Sequence, residues 1–214
     1  MNTIVKKLSW QGFIVILSLA ANTTFAQYRP SLFFREDFKE NEAATPITQA
    51  HIVNPDLILG LYGPGADSIR KSHHDRPADD PYYVWSGQCK GNWAVTLKNK
   101  KAYADLSSFA KIRWRSEQSG LCNLHIILKL ADGTWLVSDQ FTGPSKDWKI
   151  SEFNIADIKW YSLDIKTVIE GRQISNPDLT KVDEIGFTDL MTGGNSPASS
   201  RLDWIEVDGK PVKR

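Results

Sequence analysis

The chain has 214 residues, with 26 basic and 25 acidic side chains and a formal net charge of +1. That balance excludes a general nucleic-acid binder, which carries a strong basic excess, and a hydrophobic content of 41% excludes a highly charged disordered chain. Two cysteines are too few for a disulfide scaffold, and the eight tryptophans are the unusual number.

Residues 1–26 read as a secretory signal peptide. Lys6 and Lys7 form a basic start, residues 11–21 an apolar stretch, and Thr24 and Ala26 the small positions ahead of Gln27. The stretch is short for a spanning helix, which needs about 20 apolar residues. Without the leader the chain has 188 residues and 24 basic against 25 acidic side chains. That is an ordinary size for one domain, so residues 27–214 are expected to form a single exported domain, periplasmic or extracellular. No later stretch is apolar and long enough to span a bilayer.

The rest reads mostly as strands. Residues 32–38 are a short aromatic strand and 56–62 a nearly continuous apolar run. Trp93, Val95 and Leu97 alternate with polar or small neighbours over 93–98. Ile112 and Trp114 alternate with Arg113 and Arg115 over 111–115. Over 123–130, Leu124, Ile126, Leu128 and Leu130 share one face, and His125, Ile127 and Lys129 the other. A period of two marks a half-buried strand. Ala131-Asp132-Gly133 is a hairpin connection, since glycine accepts the left-handed backbone, and leads into a strand over 134–141. Further strands are predicted at 148–153, 182–188 and 202–207, while 155–170 fits either a strand pair or a short helix. About nine or ten short strands with little helical periodicity predict an all-β fold, an antiparallel β-sandwich. Trp114, Phe187 and Trp204 are expected in its core.

Residues 63–81, GPGADSIRKSHHDRPADDP, break the rhythm. Loops this long inside a compact domain are uncommon and often functional. With the aromatics that follow, the segment supplies a candidate ligand set: His73, His74, Asp75, Asp80, Tyr83 and Trp85. Tyr83 and Trp85 offer flat rings for the apolar face of a pyranose, and the His and Asp side chains can bond its hydroxyls. The same residues also suit acid–base or metal-assisted chemistry, or a well-bonded surface loop. Adjacent histidines on a strand point to opposite faces, which weakens a bidentate metal site.

A second candidate set follows from the alternation. Arg113, Arg115, His125 and Lys129 oppose the apolar phase, and on one sheet face they would favour an anionic ligand such as a uronate or sulfated glycan. Arg115 and His125 are the contacts taken from it; an ordinary solvated face is the alternative. Trp85, Trp135 and Trp148 lie beside turns or the polar loop and are the candidate exposed stacking platforms. Export permits a Cys89–Cys122 disulfide, and two buried thiols fit the sequence equally well. The chain has no Gly-x-Ser-x-Gly, phosphate-loop, dinucleotide or zinc-peptidase motif.

Asp105-Leu106-Ser107-Ser108 precedes the strand at 111–115, and the hairpin at 131–133 follows. Trp148 leads to Ile150 and Phe153, then come Asp178-Leu179-Thr180-Lys181-Val182 and Ile185-Gly186-Phe187. Leu202-Asp203-Trp204-Ile205-Glu206-Val207 ends the series. This order, over about 105–209, resembles the galactose-binding-domain-like jelly rolls, and within them the carbohydrate-binding modules and the domain related to complex I intermediate-associated protein 30. The resemblance implies a jelly-roll sandwich. It also implies a structural calcium between Asp203 on the last strand and an early carboxylate, Glu36 or Asp37. The function expected is noncovalent carbohydrate binding by an exported module. A small secreted lyase or glycoside hydrolase using the same loop is one alternative, and a protein-binding assembly module the other.

Overall fold

The computed structural model describes residues 29–73, 82–191 and 198–214. The predicted signal peptide and the candidates His74, Asp75 and Asp80 lie outside the described residues. Fifteen strands occur among those described: β1 Leu32–Glu36, β2 Leu57–Tyr62, β3 Arg70–Ser72, β4 Tyr83–Trp85, β5 Ala94–Asn99, β6 Ala102–Asp105, β7 Lys111–Gln118, β8 Leu124–Leu130, β9 Trp135–Thr142, β10 Lys149–Asn154, β11 Trp160–Asp164, β12 Ile169–Ile174, β13 Val182–Thr188, β14 Ser200–Asp208 and β15 Lys210–Lys213.

They form two antiparallel sheets, the β-sandwich that the alternation predicts. The first runs β10-β7-β14-β4-β3; the second runs β12-β11-β9-β8-β13-β5-β2, with β6 and β15 added beside β13. In the first sheet β7 lines one edge of β14. The other edge is shared: β4 pairs with Arg201 and Leu202, and β1 takes over at Ile205–Asp208. The changeover coincides with a register shift between Leu202 and Trp204, where an extra residue re-aims the side chains of a bulged strand.

Between the sheets lies one apolar core. Trp93 and Trp114 are its largest fully buried side chains, each at most 1% exposed. Trp114 meets Phe153 edge-on at 4.9 Å and donates from Nε1 to Thr142 Oγ1 at 2.9 Å, so a first-sheet indole is satisfied by the second sheet. Trp93 meets Phe187 edge-on at 6.0 Å. Edge-on packing suits the aromatic quadrupole, and an indole N–H needs a partner when buried. A smaller cluster covers the outer face of the second sheet: Val168, from the turn between β11 and β12, packs on Ala94, Ile127 and Val137. This explains how Ile127, on the predicted outer face, is fully buried.

The segment at 155–170 resolves as the strand-pair option, because β11 and β12 pair with each other. Residues 63–81 are not all loop: a short 3-10 turn at Ala66–Ser68 and strand β3 occupy part of them. Strands β3, β4, β6 and β15 are additions to the sequence reading. Both cysteines are free and buried. No helix among the described residues is long and apolar enough to cross a membrane.

Candidate functional site

The site is built at the β3 end of the first sheet. In β4, aromatic and β-branched residues favour the extended chain. Alternation turns Val84 inward and leaves Tyr83 and Trp85 on the outer side. Pairing places Arg70 of β3 opposite Trp85 on one side and Arg201 of β14 opposite it on the other. Residues directly opposite in an antiparallel ladder share a face, so Trp85 stands between two arginine positions.

Arg70, Ser72, His73, Tyr83, Trp85 and Arg201 line a depression of about 230 Å³. The half-buried Trp85 ring has the Arg70 guanidinium 5.9 Å from its centroid. Its other support is Gly87, where an added Cβ would fall 2.0 Å from Trp85 Cζ2. Tyr83 differs from its expected role as a stacking platform. It is 2% exposed, lying 5.5 Å from the Trp148 ring with the Arg201 guanidinium 5.5 Å from its own. It is a wall of the depression, and Trp148, half-buried next to it, is the second ring able to offer a face.

The series continues along the sheet. Arg115 lies 5.5 Å from the Trp148 centroid and donates to Asp203 at 2.9 Å. Arg35 lies 4.4 Å from the Trp204 ring. Guanidiniums over indole faces gain cation–π attraction and rigidify the rings they cover. Trp204 is therefore half-buried on this outer face and not in the core where the plain alternation places it. The bulge after Leu202 shifts its phase.

Of the predicted ligand residues, His73, Tyr83 and Trp85 come together in the depression, and Arg115 joins them through Trp148 and Tyr83. His125 does not. β7 belongs to the first sheet and β8 to the second, so Arg115 and His125 lie on different sheets and the shared basic face does not form. His125 Nδ1 donates to the Ser138 carbonyl at 2.8 Å, its ring sits 5.1 Å from that of Phe141, and burial holds its pKa below the usual histidine value. The basic residues are also paired: Arg113 with Glu206 and Asp208, Lys129 with Glu184. Arg70, Ser72 and Arg201 were not singled out by sequence. The first two fall inside the 63–81 segment, and Arg201 precedes the predicted start of the last strand.

Glu36 and Asp203 do not fit a shared calcium site. Glu36 is fully buried and accepts backbone N–H bonds from Phe38 and Val53 at Oε1, both 2.8 Å, and from Asn54 at Oε2, 2.9 Å. Burial pushes its carboxyl above the usual range against the pull of those amides. Asp203 is bound to Arg115, and burial likewise raises its pKa. A hard cation needs six or more oxygens, and no group of three or more His, Cys, Asp or Glu able to hold a metal occurs among the described residues.

A larger depression of about 600 Å³ opens over Ile155, Ile158, Trp160, Ile174 and Leu179. Its indole, Trp160, is 3% exposed and presents no face to a ligand. The smaller depression is therefore the better candidate for ring stacking.

No protein-family model matches the chain, and no curated protein does. Among solved structures, it is similar to a family 29 carbohydrate-binding module complexed with cellulohexaose, at 12% identity over 78% of this chain and 92% of that one, with a TM-score of 0.44. It is also similar to the family 11 module from Clostridium thermocellum in complex with a β-1,3-1,4-mixed-linked tetrasaccharide, at 14% identity over 87% of this chain and 98% of that one, with a TM-score of 0.44.

Proposed function

We propose that this chain is an exported glycan-binding module whose site is the depression at the β3–β4–β14 edge. One observation carries the reading: a half-buried indole, Trp85, standing between two arginine positions and beside Ser72 and His73 in a shallow depression. A flat ring supplies the apolar half of sugar recognition, and the surrounding donors and acceptors bond the hydroxyls. Trp148, linked to the depression through Tyr83, extends the platform for a second ring. The signal-like residues 1–26 support export.

The glycan is an extended and mainly uncharged chain. Arg35, Arg113, Arg115 and Arg201 on the outer face each have a carboxylate partner. Such pairs neutralise the field that would attract a polyanion while leaving many groups able to bond hydroxyls.

The test is titration calorimetry of residues 27–214 with oligosaccharides identified on a glycan array. Trp85→Ala is expected to weaken binding by about tenfold or more, the loss typical of an aromatic anchor, with an unchanged circular dichroism spectrum. Absence of any glycan signal above background removes the reading.

A further inference from the structure

We infer that Arg70 is the specificity residue of this site and that it selects a sugar bearing a carboxylate, a uronic acid carried on the otherwise neutral chain. The inference rests on the glycan-binding reading above and names the ligand class.

Among the described residues, five arginines stand on the outer face of the first sheet. Four are committed. Arg35 meets Asp37 and Glu206, each at 2.5 Å. Arg113 meets Glu206 at 3.1 Å and Asp208 at 3.2 Å. Arg115 meets Asp203 at 2.9 Å, and Arg201 meets Glu117 at 3.0 Å. Arg70 is the exception: among the described residues it has no carboxylate within ion-pair distance, and its guanidinium lies over the Trp85 ring. Among the described residues, those that share the depression with it are Ser72, His73, Tyr83, Trp85 and Arg201, and none of these is acidic.

The placement suits a ligand anion. Pairing of β3 with β4 fixes Arg70 directly across from Trp85, so its backbone is held before any ligand arrives. A pyranose stacked on that indole brings its ring substituents within reach of a guanidinium 5.9 Å from the ring centroid. Guanidinium binds a carboxylate through two parallel N–H bonds, which fixes orientation as well as charge. The half-buried setting of Arg70 shields the pair partly from water, where a fully exposed ion pair contributes little. Because the other four guanidiniums are already neutralised, the selection reads one acidic group and not a dense run of them.

The experiment titrates the mature protein with three matched oligosaccharides: one neutral, one with a hydroxymethyl group oxidised to the carboxylate, and one sulfated at the same position. The carboxylate form is expected to bind about tenfold more tightly than the neutral one at low salt, with the advantage shrinking as ionic strength rises. Arg70→Gln is expected to erase that preference, so that the carboxylate and neutral forms bind alike, and Arg70→Lys to keep part of it. Equal binding of the neutral and carboxylate forms, or a preference that survives Arg70→Gln, overturns the role of Arg70. Tighter binding of the sulfated form overturns the carboxylate assignment. If the neutral sugar binds and Trp85→Ala abolishes that binding while the carboxylate adds nothing, the glycan site stands and only the Arg70 inference falls. Binding of none of the three removes both.

Discussion

The ammonium of Lys71 lies 4.7 Å from the centroid of the Tyr82 ring, in a position with no solvent exposure. Its Nζ has no hydrogen-bond partner among the described residues. The Tyr82 ring is also stacked with the His73 imidazole at 4.4 Å. A buried cation thus lies against Tyr82, which in turn stacks on His73, a residue of the candidate site.

This geometry predicts a pH dependence of stability. Burial lowers the Lys71 pKa from 10.5 to about 8, and the carboxylates of Asp203 and Glu40 restore only part of the loss. Between those two values the unfolded chain holds the proton more tightly than the folded one, so stability rises as pH rises from about 8 to 10.5. Below pH 8 the folded state carries the full penalty, on the order of 3 kcal/mol for a shift of this size. Lys71→Met is expected to raise the melting temperature at pH 7 and to flatten this part of the profile. Thermal melts of both proteins from pH 7 to 10.5 check it. Parallel profiles would show that Lys71 is not the titrating group.

Glu36 predicts an effect of opposite kind, independent of metal. Its two oxygens serve three backbone amides, those of Phe38, Val53 and Asn54, and so fasten the end of β1 to the chain ahead of β2. Glu36→Gln keeps the shape but turns one acceptor into a donor facing an amide N–H. An unsatisfied buried donor costs about 1–3 kcal/mol, and denaturant melts should show that loss equally in calcium and in EDTA. A calcium-dependent stabilisation that disappears in Glu36→Gln would reinstate the metal that the family resemblance implies.

Gly87 predicts a loss of binding without loss of fold. A Cβ at this position would fall 2.0 Å from Trp85 Cζ2 and 2.6 Å from its Nε1, so Gly87→Ala must displace the indole. Displacing the stacking ring should weaken glycan binding by about tenfold and shift the tryptophan fluorescence, with the circular dichroism spectrum retained. Unchanged affinity would mean that Trp85 is not the platform.

The parts of this architecture legible in the sequence are those governed by local alternation. The β7 pattern of Ile112 and Trp114 against Arg113 and Arg115 is reproduced residue by residue in its burial. What alternation cannot express is which sheet a strand joins. Arg115 and His125 are ten positions apart and in matching phase, yet the chain crosses between sheets from β7 to β8. Trp204 shows a second limit, since one extra residue in β14 moves it from the core to the outer face beside Arg35. Short edge strands are a third: β3 is three residues long, Arg-Lys-Ser, and is specified by its pairing with β4 and not by its own composition. The site itself was half legible. His73, Tyr83 and Trp85 stood out as a polar and aromatic cluster, whereas Arg70 and Arg201 enter through the pairing of β4 with its two neighbours.

The two thiols complete the set of predictions. Cys89 and Cys122 are free and buried, and burial, with the Asp189 carboxylate nearby, pushes their pKa values up to about 12 and about 11. The nucleophilic species is the thiolate, so at pH 8 the folded protein should be almost inert to a thiol reagent. Titration with a chromogenic disulfide should count none in the native protein and two in denaturant, matching the two cysteines of the chain. Purification under oxidising conditions should not change that count, because attack on an oxidant also requires the thiolate. A denatured count of zero without reductant would instead show a Cys89–Cys122 disulfide. Two reactive thiols in the native state would show that this end of the sandwich opens on the timescale of the reagent.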